Sequence, residues 1–143
     1  MKLRKIVNKE DTEKLYEIEK KIFKEESYSF KQIEELFFLE NYSCFFLIDH
    51  SGIKGYIIIF DNSEDIEVMK IGVLESQRNK GLGKKIITNI KKIGKNIFLE
   101  VRETNFSAIS FYKENDFKII GKRKGYYKNK EAAILMLFSN GKV

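Results

Sequence analysis

The stretch SQRNKGLGKKI, residues 76–86, gathers groups able to hold an anion. Two of the chain's nine glycines, Gly81 and Gly83, stand one residue apart here, among Arg78, Asn79, Lys80 and Lys84. An isoleucine-rich run precedes the stretch and an amphipathic run follows, which reads as a strand-to-helix loop. The first N–H groups of a helix have no internal partner and carry the positive end of its dipole. Glycines remove the Cβ atoms that would keep an anion from them. The loop therefore suits a phosphate or pyrophosphate, although a tight turn ringed by solvated lysines accounts for the same residues equally well. Two common phosphate loops do not fit. A Walker loop needs glycine at 78 and Ser or Thr at 85, where Arg78 and Lys85 stand; a dinucleotide G-x-G-x-x-G needs glycine at 86, where Ile86 stands.

Two further side chains could move protons. Glu100 lies in NIFLEVR (96–102), where Ile97, Leu99 and Val101 point one way and Phe98, Glu100 and Arg102 the other. A carboxylate in mid-strand among apolar neighbours loses hydration, which is how a general base is made. A salt bridge to Arg102 or a nearby lysine explains the same residue. Tyr112 lies in NFSAISFYKEN (105–115). A phenol, ordinarily titrating near about 10, can protonate a departing thiolate whose conjugate acid titrates near about 8.5. Plain helix packing is the alternative, with neighbouring Phe111 the better core residue. The single histidine, His50, reads as a solvated residue of a hairpin turn. The single cysteine, Cys44, reads as a buried thiol without a histidine to activate it. No metal-ligand cluster is visible, so no metal is expected.

Stepping outward, these groups are positioned by a simple element order. KLRKIV (2–7) is a strand. Asn8 or Asp11 caps a helix carrying Leu15, Ile18, Ile22 and Phe23, and a second helix starts at a Ser29/Gln32 capping box with Ile33, Leu36 and Phe37 on its apolar face. Strands 43–49 and 53–61 flank the turn HSG, and 66–73 is a third strand. After the glycine loop comes a helix with Ile86, Ile87, Ile90 and Ile93 on one side and Gly94 as its stop. Then follow strand 96–102, a short helix capped by Asn105, and strands FKIIGKR and AAILMLF. The order β-α-α-β-β-β-α-β-α-β-β predicts an α/β fold with a mixed, mostly antiparallel sheet flanked by helices.

At 143 residues, with 43% hydrophobic and 34% charged residues, the chain is expected to be one domain, 1–143, monomeric or weakly dimeric. No apolar run approaches the ~20 residues of a membrane span, and the N-terminus lacks a signal-peptide core. With a single cysteine, the expected location is cytoplasmic. The net charge of +6 favours anionic partners. Lysines alternate with acids along the chain and no nucleic-acid motif is legible, so nucleic acid is not the expected partner.

The motif R-x-x-G-x-G (Arg78, Gly81, Gly83), just after MKIGV, resembles the acetyl-CoA-binding motif of the GCN5-related N-acetyltransferases (GNAT). The resemblance spans nearly the whole chain and is most specific from Ile66 to Tyr127. Within the superfamily the chain is similar to the RimI type, which acetylates the N-terminal alanine of a small-subunit ribosomal protein. LEVRETNFSAISFYKENDF and GKRKGYY carry that likeness through Leu99, Glu100, Val101, Arg102, Asn105, Ala108, Ile109, Tyr112, Phe117, Arg123, Tyr126 and Tyr127. Departures are Asp116 for a glycine, Leu74-Glu75 for an acidic-proline step, and Ser27-Tyr28-Ser29 for Pro-Trp-Ser beside the acceptor.

The resemblance implies an acetyltransferase using acetyl-CoA and no metal. It implies that the backbone at Ile71, Gly72 and Val73 holds the pantetheine arm. Arg78, Asn79, Lys80, Gly81, Leu82, Gly83 and Lys84 hold the pyrophosphate, and Asn105 touches the cofactor arm. Glu100 is then base and Tyr112 acid, with Tyr28 (in place of tryptophan), Tyr126 and Tyr127 beside the acceptor. The implied acceptor is a ribosomal protein's N-terminal alanine or other small residue. A lysine side chain, polyamine or other small amine is the alternative, and a non-catalytic module binding CoA or a ribosome is a remoter one.

Overall fold

Alternation of side chains decides how the sheet is clothed. In the computed structural model, which describes residues 1–141, the strands are β1 (Lys2–Lys5), β2 (Tyr42–Asp49), β3 (Gly52–Asp61), β4 (Asp65–Val73), β5 (Asn96–Arg102), β6 (Lys118–Arg123) and β7 (Ala133–Phe138). The helices are α1 (Lys9–Phe23), α2 (Phe30–Phe38), α3 (Leu82–Lys91) and α4 (Phe106–Glu114). One seven-stranded sheet runs β1-β2-β3-β4-β5-β7-β6. Every neighbouring pair is antiparallel except β4 and β5. The predicted order and mixed sheet are therefore observed. Tyr56 and Ile58 of β3 pack with Leu15 and Ile18 of α1 and Ile33 of α2. Ile57 and Ile59 pack on the other face with Ile86, Ile87 and Ile90 of α3 and Tyr112 of α4. That is why β3 reads as an unbroken apolar run.

The caps behave as their chemistry requires. Asn8, not Asp11, caps α1: its side chain accepts from the Asp11 N–H at 2.8 Å. Asp11 instead accepts both guanidinium N–H bonds of Arg4, each 3.0 Å, and its carboxyl is held below the usual carboxylate range mainly by that contact. Ser29 and Gln32 form the predicted reciprocal box on α2. Strand β1 ends at Lys5, short of the expected Val7; Ile6 makes one further backbone bond to Cys44, while Val7 is 69% exposed. Helix α3 stops at Lys91, so Ile93 misses the apolar stripe and is 46% exposed, with Gly94 at φ 84 just beyond. Cys44 is buried, which pushes its thiol up to about 12. No helix among the described residues is long and apolar enough to cross a membrane.

Two irregularities open the sheet. Ile58 pairs with Lys70 but Ile59 pairs with Val68, so Met69 is an extra residue, a β-bulge in β4. The bulge inverts the alternation beyond it. Ile71 and Val73 join the same core as Ile66 and Val68, and Lys70 turns to the α1 face. In addition, β4 and β5 pair only from Asp65–Val68 against Asn96–Leu99. Beyond that, β4 follows β3 and β5 follows β7, and the strands part.

Candidate active site

The parting of β4 and β5 leaves a cleft of about 450 Å³. Leu74 N–H bonds Lys54 C=O on β3 at 3.0 Å. The two-residue alternation of an antiparallel ladder then turns the backbone groups of Ile71 and Val73 to the free edge, where an extended amide chain can pair with them. Val73 C=O already accepts from Arg78 Nε at 3.4 Å. Gly72 has a different task. A Cβ on it would lie 2.8 Å from the Tyr56 ring and 3.0 Å from Ile22, so glycine is needed there for packing against α1 and β3.

A second hollow of about 540 Å³ adjoins the cleft; Ser107 and Phe111 line both. Arg78, Asn79, Gly81, Leu82, Gly83 and Lys84 line it, and Lys80 does not. Asn79 and Gly81 both have left-handed backbones, φ 63 and 72, a conformation found in the N–H concavities that bind anions. Gly81 is the N-cap of α3 and offers no side chain to it, leaving the first-turn N–H groups without a side-chain acceptor. With two cations beside them, these donors fit a pyrophosphate. The two glycines serve different needs. Gly81 takes the left-handed turn, with nothing within 4 Å of a Cβ built on it. A Cβ on Gly83 would meet the Phe111 ring at 3.1 Å, so Gly83 lets α3 approach α4. Close approach of an aromatic ring is thus a further reason for glycine at 83, beside the close approach of an anion that the sequence suggests. Leu82 is largely a core residue.

Glu100 and Tyr112 line the same cleft. Glu100 is bound to neither Arg102 nor a lysine. Its Oε1 lies 3.2 Å from Arg123 Nη2, reached across β7, and its Oε2 is buried with no hydrogen-bond partner. Glu67 on β4 is a second carboxylate near it; burial, then the Glu100 charge, raise its pKa, and Arg123 opposes them. The alternation of DIEV gives Glu67 its face, but only sheet pairing makes it a neighbour of Glu100, so the sequence pattern did not single it out. Tyr112, rather than Phe111, is the core residue: it is 7% exposed and packs against Phe111 and Phe117. Burial pushes its hydroxyl above the ordinary phenol range, so it stays protonated at neutral pH. Asn105 caps α4 through Oδ1, accepting from Ala108 N–H at 3.2 Å, and lines the cleft.

The three tyrosines expected beside the acceptor divide. Tyr127 lines the cleft under the Arg102 guanidinium, 4.0 Å from its ring centre. Tyr126 packs edge-on against it at 5.1 Å and lies under Arg123, but does not line the cleft. Tyr28 borders a neighbouring hollow with Met69 and Gln32. A buried network ties Tyr28 to the cleft. Glu19, 0% exposed, accepts from Lys70 Nζ at 3.0 Å, from Tyr28 N–H at 2.6 Å, and from the Tyr56 hydroxyl. Lys70 Nζ also donates to Glu26 C=O at 2.9 Å and sits over the Phe23 and Tyr28 rings. Neither Glu19 nor Lys70 stood out in sequence; an acid mid-way along an amphipathic helix looks like surface until a bulge delivers its partner.

The profile of the Acetyltransferase (GNAT) family matches residues 11–117, more than half of the chain. The chain belongs to the GNAT acetyltransferase family. As a GNAT enzyme it is an acyltransferase. An N-alpha-acetyltransferase of Saccharolobus solfataricus is 31% identical over 137 residues, 73% of this chain and 82% of its own. A Bacillus subtilis protein provisionally named [ribosomal protein bS18]-alanine N-acetyltransferase is 30% identical over 135 residues, 89% of this chain and 88% of its own. The crystal structure of the ribosomal-protein-S18-alanine N-acetyltransferase from Escherichia coli matches with a TM-score of 0.84 at 23% identity, over 99% of this chain and 95% of that one, which is a likeness of fold.

Proposed function

We propose that this GNAT enzyme transfers an acetyl group directly from acetyl-CoA to the α-amine of a protein N-terminus that begins with alanine or another small residue. A ribosomal protein is the acceptor to which the RimI-type resemblance points, and a cytoplasmic setting goes with it. The observation that carries the reading is the pairing, across one cleft, of Glu100 Oε2, buried and unpartnered, with the protonated Tyr112 hydroxyl.

Acetyl-CoA supplies an activated thioester carbonyl. The free edge of Ile71 and Val73 pairs with its amide arm, and Asn105 lies against that arm. Arg78, Asn79, Lys84 and the first turn of α3 hold its pyrophosphate. Glu100 takes a proton from the acceptor amine, directly or through water, as nitrogen bonds to the carbonyl carbon. Tyr112 gives its proton to the sulfur as the C–S bond breaks. An α-amine titrates near about 7.7–8.0 and a lysine near about 10.4, so one carboxylate suffices for the first. Tyr127 walls the approach and favours a small first residue. Acid–base help of this kind contributes on the order of 10²–10⁴-fold, and positioning adds to it.

The test is thiol release from acetyl-CoA with peptides starting Ala, Ser, Leu or Lys, and with the Ala peptide blocked at its N-terminus but carrying free lysines. Ala and Ser peptides should be preferred. Equal acetylation of the blocked peptide would identify a side-chain acetyltransferase instead. Glu100→Gln and Tyr112→Phe should lower turnover while leaving acetyl-CoA affinity within about threefold; near-full turnover in both variants would remove their assigned roles.

A further inference from the structure

The chain's net charge is concentrated in one place. It has 27 Lys and Arg against 21 Asp and Glu. Residues 118–130 hold Lys118, Lys122, Arg123, Lys124, Lys128 and Lys130 and no acid, leaving 21 of each sign elsewhere. The whole +6 therefore sits on β6 and its connection to β7, nearly all of it exposed.

That connection is fastened to the mouth of the cleft. Lys122 pairs with Glu103 at 2.9 Å and Arg123 with Glu100 at 3.2 Å, both at the end of β5. Tyr127, in mid-connection, lines the cleft. Lys124, Lys128 and Lys130 make no ion pair among the described residues. Acids at the same mouth are already engaged: Glu26 and Glu131 face Arg102 at 3.2 and 3.8 Å, and Glu103 holds Lys122. Lysines along an exposed edge strand guard against edge-to-edge pairing. That accounts for Lys118 on β6, but Lys124, Lys128 and Lys130 lie beyond the strand.

Resting on the reading of the site as an N-terminal acetyltransferase, we infer that Lys124, Lys128 and Lys130 form a docking rim for an acidic segment of the acceptor polypeptide, a few residues behind its N-terminal amine. A polypeptide is favoured over RNA because the rim and the cleft wall are one continuous segment. A chain that places its amine at Glu100 carries its following residues past Tyr127 and these lysines. The inference narrows which proteins, ribosomal or otherwise, can serve. Acceptors with Asp or Glu behind a small first residue are drawn in, and those with Lys or Arg there are repelled.

The test compares three peptides with the same Ala-Ser start and Asp/Glu, Ser/Gly or Lys/Arg at positions 4–9. Acetylation and fluorescence-anisotropy binding are both measured on the full chain, at low and at physiological ionic strength. The acidic peptide should exceed the basic one by about tenfold in kcat/KM and in affinity, and the gap should shrink with salt. The triple variant Lys124→Glu, Lys128→Glu, Lys130→Glu should reverse the preference. A conservative Lys→Gln triple should abolish it, and both should keep the wild-type melting temperature and acetyl-CoA affinity. If all three peptides react and bind equally, in wild type and variants alike, the rim has no such role while the acetyltransferase reading stands. If no peptide is acetylated, the activity reading fails and anisotropy alone decides the rim. Binding of an oligouridylate to the rim tighter than that of the acidic peptide overturns the choice of partner.

Discussion

Lys70→Met probes the buried network behind the proposed acceptor side. The substitution keeps the unbranched stem, so packing loss is small. It strips Glu19, which is fully buried, of its only cation among the described residues, while Tyr56 hydroxyl and Tyr28 N–H remain as donors. Removing one partner of a buried ion pair costs about 3–5 kcal/mol. The two remaining donors and the 14% exposure of the Lys70 side chain place this case at the lower end, about 3 kcal/mol. For a chain of this size each kcal/mol shifts Tm by roughly 3 °C, so Tm should fall by about 9 °C. Urea and thermal unfolding followed by circular dichroism read this directly. Adding Glu19→Gln removes the stranded charge, so the double variant should be more stable than Lys70→Met alone, with a coupling of about 2 kcal/mol. Loosening of residues 24–28 should also raise the acceptor KM without changing acetyl-CoA affinity. A loss under about 1 kcal/mol for Lys70→Met, or strictly additive single changes, would refute the idea that this pair holds the acceptor side together.

Two other substitutions probe separate links. Gly83→Val places methyl groups against Phe111, whose ring is already 3.1 Å from an added Cβ and lines both hollows; acetyl-CoA affinity by calorimetry should fall at least about tenfold, with stability lowered by about 1–3 kcal/mol. Unchanged affinity in the folded variant would separate the hollow from the cofactor. The Asp11 carboxyl is held below its ordinary value of 3.8, chiefly by Arg4. It therefore stays ionised in the folded chain where the unfolded chain takes up a proton. Its contribution is full above the unfolded value and is lost as pH falls through the folded one. Asp11→Asn should be less stable at neutral pH and should lose less on acidification between about pH 5 and pH 2; parallel acid-unfolding curves would contradict this.

Local regularities carried much of this molecule in the linear sequence. Local patterns with their caps marked the four α-helices and the seven strands, β3 by an unbroken apolar run, though not the short 3-10 turns Lys24–Glu26 and Glu75–Gln77, because those signals come from neighbours within a few residues. The Ser29–Gln32 box, the Asn105 cap and the Ile97-Leu99-Val101 face were legible for that reason. So was the make-up of the 78–84 loop on which the proposed pyrophosphate site rests, since a helix start without a side-chain cap and adjacent cations are written into consecutive residues. Family likeness, carried by motifs at fixed spacing, added acetyl transfer. What the sequence left open depends on groups far apart in the chain. Glu100 meets Arg123 rather than Arg102 because β7 intervenes between β5 and β6, and a side chain can reach across it. Gly83 faces a ring 28 positions away, so its purpose is fixed by how closely α3 and α4 pack. The bulge at Met69 has no signature of its own in DIEVMKIGV, yet it inverts the strand, sends Lys70 to Glu19 and helps part β4 from β5. Register is a property of two strands together, so the cleft that joins the candidate site residues exists only in the folded sheet.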